Sequence, residues 1–217
     1  MSFPAVLALG DGAFTVALGD RVERTLHRRV LGLSRAIAGA GLPGVSEIVP
    51  AYAAVTVYLT PDADPEAIER RLLELARTAS DPLPDDGAEP SRLVAIPVRY
   101  DGPDLGDVAE RTGLTREDVV RLHAGREYEV YLLGFAPGFG FLGELDPALR
   151  LPRRSSPRTR VPAGSVAIAG AQTAVYPLET PGGWHLIGRT DLVMFDRERN
   201  PPALLRPGDR VRFEPTG

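Results

Sequence analysis

From Tyr128 the chain reads Tyr128-Glu129-Val130-Tyr131-Leu132-Leu133-Gly134-Phe135, and the texture of this run decides the fold of the C-terminal half. Four later runs repeat it: Ser165-Val166-Ala167-Ile168-Ala169-Gly170, Thr173-Ala174-Val175-Tyr176-Pro177-Leu178, Trp184-His185-Leu186-Ile187-Gly188-Arg189-Thr190 and Val211-Arg212-Phe213-Glu214-Pro215. Each is short and largely apolar, and Gly or Pro separates it from the next. Short apolar runs punctuated by turn residues predict a small, loop-rich β-barrel or sandwich.

The connections between these runs carry the residues suited to chemistry. Gly134-Phe135-Ala136-Pro137-Gly138-Phe139-Gly140-Phe141-Leu142-Gly143 follows the first strand. Pro137 fixes a turn, and Gly138 permits a positive φ or a close backbone approach. The aromatics either pack beneath the loop or line a pocket. The spacing is not that of a phosphate-binding loop. Residues 150–160 then hold five Arg and no acid. Prolines oppose a regular helix there. The segment is either a solvated basic loop or a recogniser of carboxylate or phosphate, because the guanidinium fork makes planar two-point contacts. Gln172 offers both an amide donor and an acceptor. Trp184, the single Trp, suits a core or a ligand platform. His185 is either an acid–base group or a surface residue. Ser165 lies in Val161-Pro162-Ala163-Gly164-Ser165-Val166, which does not match the nucleophile elbow.

Upstream, residues 104–126 read DLGDVAERTGLTREDVVRLHAGR and predict two short helices, the second capped by Thr115. The pattern resembles a helix-turn-helix. Glu117 and Asp118 at the start of the second helix oppose DNA reading, so plain helix-pair packing is expected. His27 and His123 each lie on a predicted helix without a second ligand at i+4, which argues against a metal site.

The first 80 residues alternate strands and helices. Residues 13–18 predict a strand, and Asp20 is expected to cap a helix running to about Gly39. Its apolar face would be Val22, Leu26, Val30, Leu33 and Ile37. Residues 45–50 and 54–59 predict two more strands. Asp64 caps a second helix with Pro65 at its first position. Strand, helix, strand, strand, helix suggests a ferredoxin-like α+β unit that lacks one strand. Residues 92–100 either supply that strand or open the next domain. Between them, residues 80–91 read SDPLPDDGAEPS, a linker composition. The expected division is an α+β domain over residues 1–90 and a β domain over residues 91–217.

Composition narrows the chemistry. The 217 residues carry a net charge of −4, with 43% hydrophobic residues and no Cys. All 25 basic residues are Arg, since the sequence contains no Lys. A Schiff-base lysine and a P-loop are therefore excluded. The acidic balance gives no general attraction to nucleic acid or anionic lipid. No apolar run is long enough to span a membrane, and no secretory signal precedes the first strand. A cytoplasmic location is expected.

From Tyr131 to Arg189 the motifs become specific. They are Gly134-Phe135 with Pro137-Gly138-Phe139, then Leu142-Gly143, Pro152-Arg153-Arg154, Pro157-Arg158, the segment Val161 to Val166, Gln172-Thr173, Tyr176-Pro177, Pro181-Gly182-Gly183-Trp184 and Ile187-Gly188-Arg189-Thr190. Gly102-Pro103-Asp104-Leu105, Leu122-His123 and Pro207-Gly208-Asp209-Arg210-Val211-Arg212-Phe213 extend the match. In this order they resemble the family that includes the 5-oxoprolinase B subunit, the kinase inhibitor KipI of sporulating bacteria and part of the carboxyltransferase region of urea carboxylase. The family usually reads Pro-Gly-Phe-Pro-Tyr-Leu-Gly where this chain has Gly140 and Phe141.

The resemblance implies an N-terminal α+β domain followed by a cyclophilin-like β-barrel. It implies ATP-dependent cleavage of 5-oxo-L-proline to L-glutamate, carried out together with A and C subunits, with Mg²⁺ accompanying ATP. It implies catalytic roles for Arg158, Gln172 and Arg189. Pro137, Gly138, Phe139, Arg154, Tyr176 and Trp184 would bind substrate. Two other roles fit the same resemblance: a KipI-like inhibitor of a histidine kinase, and a carboxyltransferase component related to urea carboxylase.

Overall fold

The computed structural model describes residues 2–78 and 91–216. The expected linker at residues 80–91 lies, apart from Ser91, outside the described residues. The chain divides into two compact units, Met1–Glu89 and Pro90–Gly217.

The first unit runs β1 (Ala5–Ala8), β2 (Ala13–Ala17), α1 (Arg24–Ala40), β3 (Val45–Pro50), β4 (Ala54–Leu59) and α2 (Pro65–Thr78). Its strands lie in the order β1-β2-β4-β3, and every pair is antiparallel. Residues 92–100, the candidate for the missing strand or for the start of the next domain, lie in the second unit. The position of the missing strand is filled by β1, which precedes β2 and pairs Ala5 with Ala17. Phe14, Val16, Val55 and Val57 alternate along β2 and β4 and meet Val30, Leu33 and Ile37 of α1 and Ile68 and Leu72 of α2. Asp64 accepts the Ala67 N–H at 3.0 Å, the cap read from sequence. Asp20 does not cap α1. The helix starts later, after Glu23, so Val22 is left outside it and half-exposed at 50%.

The second unit runs β5 (Leu93–Val98), α3 (Leu105–Thr112), α4 (Arg116–Ala124), β6 (Glu127–Leu133), β7 (Gly140–Gly143), β8 (Arg158–Val161), β9 (Ser165–Ala169), β10 (Gln172–Val175), β11 (Thr180–Gly182), β12 (His185–Arg189) and β13 (Arg210–Pro215). Seven strands form one mixed sheet in the order β12-β9-β10-β7-β6-β13-β5. Only β13 and β5 run parallel. The two edges meet where Arg99, just past β5, bridges Arg189 at the end of β12. Arg99 N–H donates to Arg189 O at 2.9 Å, and Arg189 N–H donates to Arg99 O at 2.8 Å. That seam nearly closes the sheet into a barrel.

Residues from all seven strands fill one core: Ile96, Val130, Leu142, Val166, Ile168, Val175, Ile187, Val211 and Phe213 among them. Helices α3 and α4 add Leu105, Val108, Ala109 and Val119 to the same core. Their apolar faces are thus committed to packing, as expected of a plain helix pair. The opposite side of β9 and β10 presents Ala167, Ala169 and Ala174. A separate cluster centred on Phe139, Tyr176 and Trp184 covers them, with the β8–β11 pair alongside. Small residues on one face and branched ones on the other explain why β9 is buried throughout.

Candidate functional site

The barrel seam builds the site. After Arg99 the chain turns through Asp101, Gly102 and Pro103 against β12. Gly102 N–H reaches Ile187 O at 3.3 Å, and Asp104 N–H reaches Leu186 O at 2.9 Å. The approach requires glycine at 102, because a Cβ there would fall on the backbone of Leu186 and Ile187. The carboxylate of Asp104 returns the contact, accepting the Leu186 N–H on Oδ2 at 2.7 Å. Oδ1 accepts from Arg158 Nη2 at 2.7 Å and from Arg154 Nη1 at 3.0 Å.

Asp104 stands at the N-cap of α3, yet its side chain makes no capping bond. Its acceptor sites hold the two arginines and β12 instead. The acid is 5% exposed, whereas Arg158 and Arg154 are 25% and 32% exposed. A buried anion therefore carries two guanidinium groups at the surface. Burial pushes the Asp104 carboxyl upward. The Arg158 hydrogen bond, the Leu186 amide and the charges of Arg158 and Arg154 outweigh it, so the group stays below its usual value and ionised. Arg154 Nε and Arg158 Nη1 are buried atoms without a hydrogen-bond partner. The cluster keeps donor capacity beyond what Asp104 uses.

Local backbone structure fixes both arginines. Arg158 opens β8 opposite Gly182 of β11, and Arg154 N–H donates to Gly183 O at 2.7 Å. Beneath them lies the aromatic cluster. Phe139 meets Tyr176 at 5.2 Å and Trp184 at 5.7 Å, both edge-on, and all three are at most 5% exposed. They form a floor and offer no open ring face. Burial raises the Tyr176 phenol, opposed in part by the Trp184 amide and the charges of Arg153 and Arg158, so it stays protonated. Pro137 and Gly138 form the middle of a turn closed by Phe139 N–H to Ala136 O at 2.9 Å, with φ +80° at Gly138. Pro followed by a positive-φ Gly is the type II arrangement.

Not every expected residue joins this group. Gln172 pairs with Ala169 and Arg189 with Ser165, so they lie at opposite ends of β9. Four residues of strand separate them by about 13 Å along β9, and they stand on the strands at its two sides. Arg189 ion-pairs with Asp101 at 2.8 Å on the seam, and Gln172 belongs to the far β9–β10 turn. Sequence reading missed Asp104 as the hub. It saw the residue only as a helix start and a motif match, and spacing does not reveal which side chain reaches it across 50 and 54 residues. It also left His185 open. That ring is fully buried, and Nε2 donates to Pro152 O at 2.9 Å. Nδ1 lies 3.7 Å from Asp107 Oδ2. A cleft of about 740 Å³ lined by Tyr100, Asp101, Pro103, Asp107 and Arg116 opens beside the same turn. Among the described residues no group of three or more His, Asp or Glu is placed to hold a metal ion.

The seam of a nearly closed mixed-sheet barrel thus holds a buried acid that carries two arginines. Residues 4–205 match the profile of the carboxyltransferase domain, subdomain C and D, and the chain belongs to that family. It is 42% identical to the 5-oxoprolinase B subunit of Bacillus subtilis (strain 168), over 94% of this chain and 90% of that one. It is 44% identical to the 5-oxoprolinase B subunit of Escherichia coli O157:H7, over 95% and 94%. The crystal structure of TTHA0988 superposes with a TM-score of 0.82 at 47% identity, covering 94% of this chain but 40% of that one. The chain thus spans about two-fifths of TTHA0988. The Kluyveromyces lactis urea carboxylase shares the fold, with a TM-score of 0.77 at 21% identity over 98% of this chain and 22% of that one. No helix among the described residues is long and apolar enough to cross a membrane.

Proposed function

We propose that the chain is the B subunit of a cytoplasmic, ATP-dependent 5-oxoprolinase that works with A and C subunits. One observation carries this reading: near-full-length identity of 42% and 44% to two proteins named as 5-oxoprolinase B subunits. The geometry supports it. 5-Oxo-L-proline presents a carboxylate and a lactam carbonyl, and its activation by ATP adds a phosphoryl group in transfer. Arg154 and Arg158 suit such oxyanions, because Asp104 holds their forks in place before substrate arrives.

Phosphorylation of the lactam carbonyl oxygen makes the adjacent carbon open to water, and the products are glutamate, ADP and phosphate. Asp104 positions, and Arg158 and Arg154 bind and stabilise charge. The chain has no Lys for a P-loop, so ATP with Mg²⁺ is held jointly with a partner subunit. The fold reading that accompanies this role is a cyclophilin-like barrel preceded by a ferredoxin-like unit whose edge strand comes from its own N-terminal side. A carboxyl-transfer component is the second reading, favoured by the family's carboxyltransferase description.

Co-expression with A-type and C-type subunits of the same organism tests the proposal. ATP-dependent glutamate release from 5-oxo-L-proline is expected from the assembled complex and not from this chain alone. Turnover by the chain alone, or a complex that carboxylates a substrate from a biotin carrier and ignores 5-oxoproline, would overturn it.

A further inference from the structure

The two most exposed large hydrophobic side chains among the described residues are Phe135, at 65%, and Val193, at 60%. They lie on two loops of the second unit that pack together. A Cβ at Gly138 would come within 2.8 Å of Phe195 Cβ and 3.1 Å of Met194 O. Both loops are tied down. Arg199 Nη2 donates to Val193 O at 3.0 Å and to Pro202 O at 3.0 Å. Phe135 is the middle residue of a three-residue turn closed by Ala136 N–H to Gly134 O at 2.8 Å, and Gly134 N–H donates to Phe139 O at 3.0 Å.

Phe135 is also the one non-glycine residue with positive φ among the described residues, at +70°. That value belongs to the strained form of the γ-turn, costly for a bulky side chain. The ring gains little from its own fold in return: it leans edge-on against Phe139 at 5.2 Å and leaves most of its surface in water. Strain of this kind persists where surrounding structure imposes it, and it clusters at functional sites. A rigid loop that presents one exposed aromatic, packed against a second loop that exposes an apolar side chain of its own, has the form of an interface anchor.

We infer that Phe135, with Val193 on the neighbouring loop, anchors the surface that docks a separate C-type subunit, corresponding to the rest of the TTHA0988 polypeptide. The occupant follows from length. In TTHA0988 the counterpart of this chain, 47% identical, is only 40% of one continuous protein, so this fold there belongs with a larger companion segment. A companion on a separate chain needs apolar anchors exposed on the isolated subunit. The inference rests on the B-subunit reading above.

Phe135→Asn removes the ring while keeping a residue that tolerates left-handed backbone, and Phe135→Trp keeps an aromatic. Titration of the purified chain with the C-type subunit should show Phe135→Asn binding about thirtyfold or more weakly and Phe135→Trp within about threefold of wild type. The melting temperature of the isolated Phe135→Asn chain should not fall. The inference is overturned if Phe135→Asn binds like wild type, or if its isolated chain melts earlier, which would make Phe135 a core residue. It is equally overturned if the wild-type chain self-associates through this face and takes no C-type subunit. A wild-type complex that assembles but leaves 5-oxoproline untouched refutes the proposed reaction alone. A wild-type complex that turns over 5-oxoproline, with Phe135→Asn binding unchanged, refutes only the anchor.

Discussion

Arg158 Nη2 lies 2.7 Å from Asp104 Oδ1, in a pair whose acid is buried and whose base reaches the surface. The asymmetry separates two roles that sequence leaves merged. Loss of Asp104 strands two cations with partial access to water, whereas loss of Arg158 leaves the buried acid with Arg154 and the Leu186 N–H. Arg158→Ala in the assembled complex should lower turnover by about 2–5 kcal/mol in transition-state terms, the usual cost of removing one partner of a buried charge pair. Arg158→Lys should rescue only part, since it keeps the charge and loses the fork. Turnover is read beside complex assembly and melting temperature. Wild-type turnover in an assembled Arg158→Ala complex would remove Arg158 from the site, and failed assembly would make it structural.

Asp104→Asn keeps the shape and removes the charge. The amide oxygen can still accept the Leu186 N–H, but its hold on the arginines weakens, so the isolated chain should lose about 1–3 kcal/mol. The Asp104 carboxyl is held below its usual value in the fold. Its contribution is therefore complete above the unfolded value of about 4 and is lost as pH falls further, through the lower folded value. Urea unfolding between pH 5 and pH 3, values of about that range, should show a steeper acid decline for wild type than for Asp104→Asn. Parallel declines would mean that the ion pairs contribute nothing to folding.

Gly102→Ala tests the seam. The added Cβ would meet backbone atoms of Leu186, Ile187 and Gly188, none of which can rotate aside as a flexible side chain does. The turn must move away from β12 and weaken the Asp104 N–H to Leu186 O bond of 2.9 Å. A destabilisation of about 3 kcal/mol or more is expected, at the high end for a single substitution. Amide exchange should quicken at Arg99, Asp104 and Leu186 before it does so elsewhere in the barrel. Unchanged exchange at those three amides would show that the seam does not depend on this approach.

The sequence revealed elements whose signal is local. The alternation in Ala54–Leu59, the cap at Asp64 and the turn at Pro137-Gly138 are set by neighbouring residues, and they stand where the pattern placed them. Pairings between distant segments were hidden. Nothing in Ala5-Val6-Leu7-Ala8 announces an edge strand, since β1 is defined by its pairing to β2. Residues 92–100 were read either as completing the first sheet or as opening the next domain, and only the parallel register of Leu93–Val98 with Arg210–Pro215 assigns them to the barrel. The candidate site divides the same way. Arginines at 154 and 158 were legible as a basic loop, but their shared acid was not. Gln172 and Arg189 were grouped with them by the family resemblance alone, and β9 keeps the two apart at its opposite ends.

His123 provides a pH signature that does not depend on partners. Its ring is fully buried, and burial pushes its pKa down to about 3. The tautomer follows from its neighbours. The Thr173 hydroxyl donates to Ala167 O at 3.0 Å, so its oxygen accepts from His123 Nε2–H at 2.8 Å. Nδ1 is then the acceptor for the Tyr100 hydroxyl at 2.8 Å, a phenol that burial keeps protonated. A proton added to Nδ1 would break that bond and place a charge in the core. The unfolded chain takes up this proton near pH 6.5, about the ordinary His value, and the folded chain does so only near pH 3. Stability from this group is thus complete above about pH 6.5 and falls as pH drops through the window toward 3, with a slope of up to about 1.4 kcal/mol per pH unit. His123→Gln retains one donor and one acceptor without a titrating group. Urea midpoints from about pH 6.5 down to 4.5, above the Asp104 window, should fall more steeply for wild type than for His123→Gln. If the two slopes coincide while both proteins remain folded at neutral pH, His123 is not held neutral by burial and the Tyr100–His123–Thr173 chain is assigned wrongly.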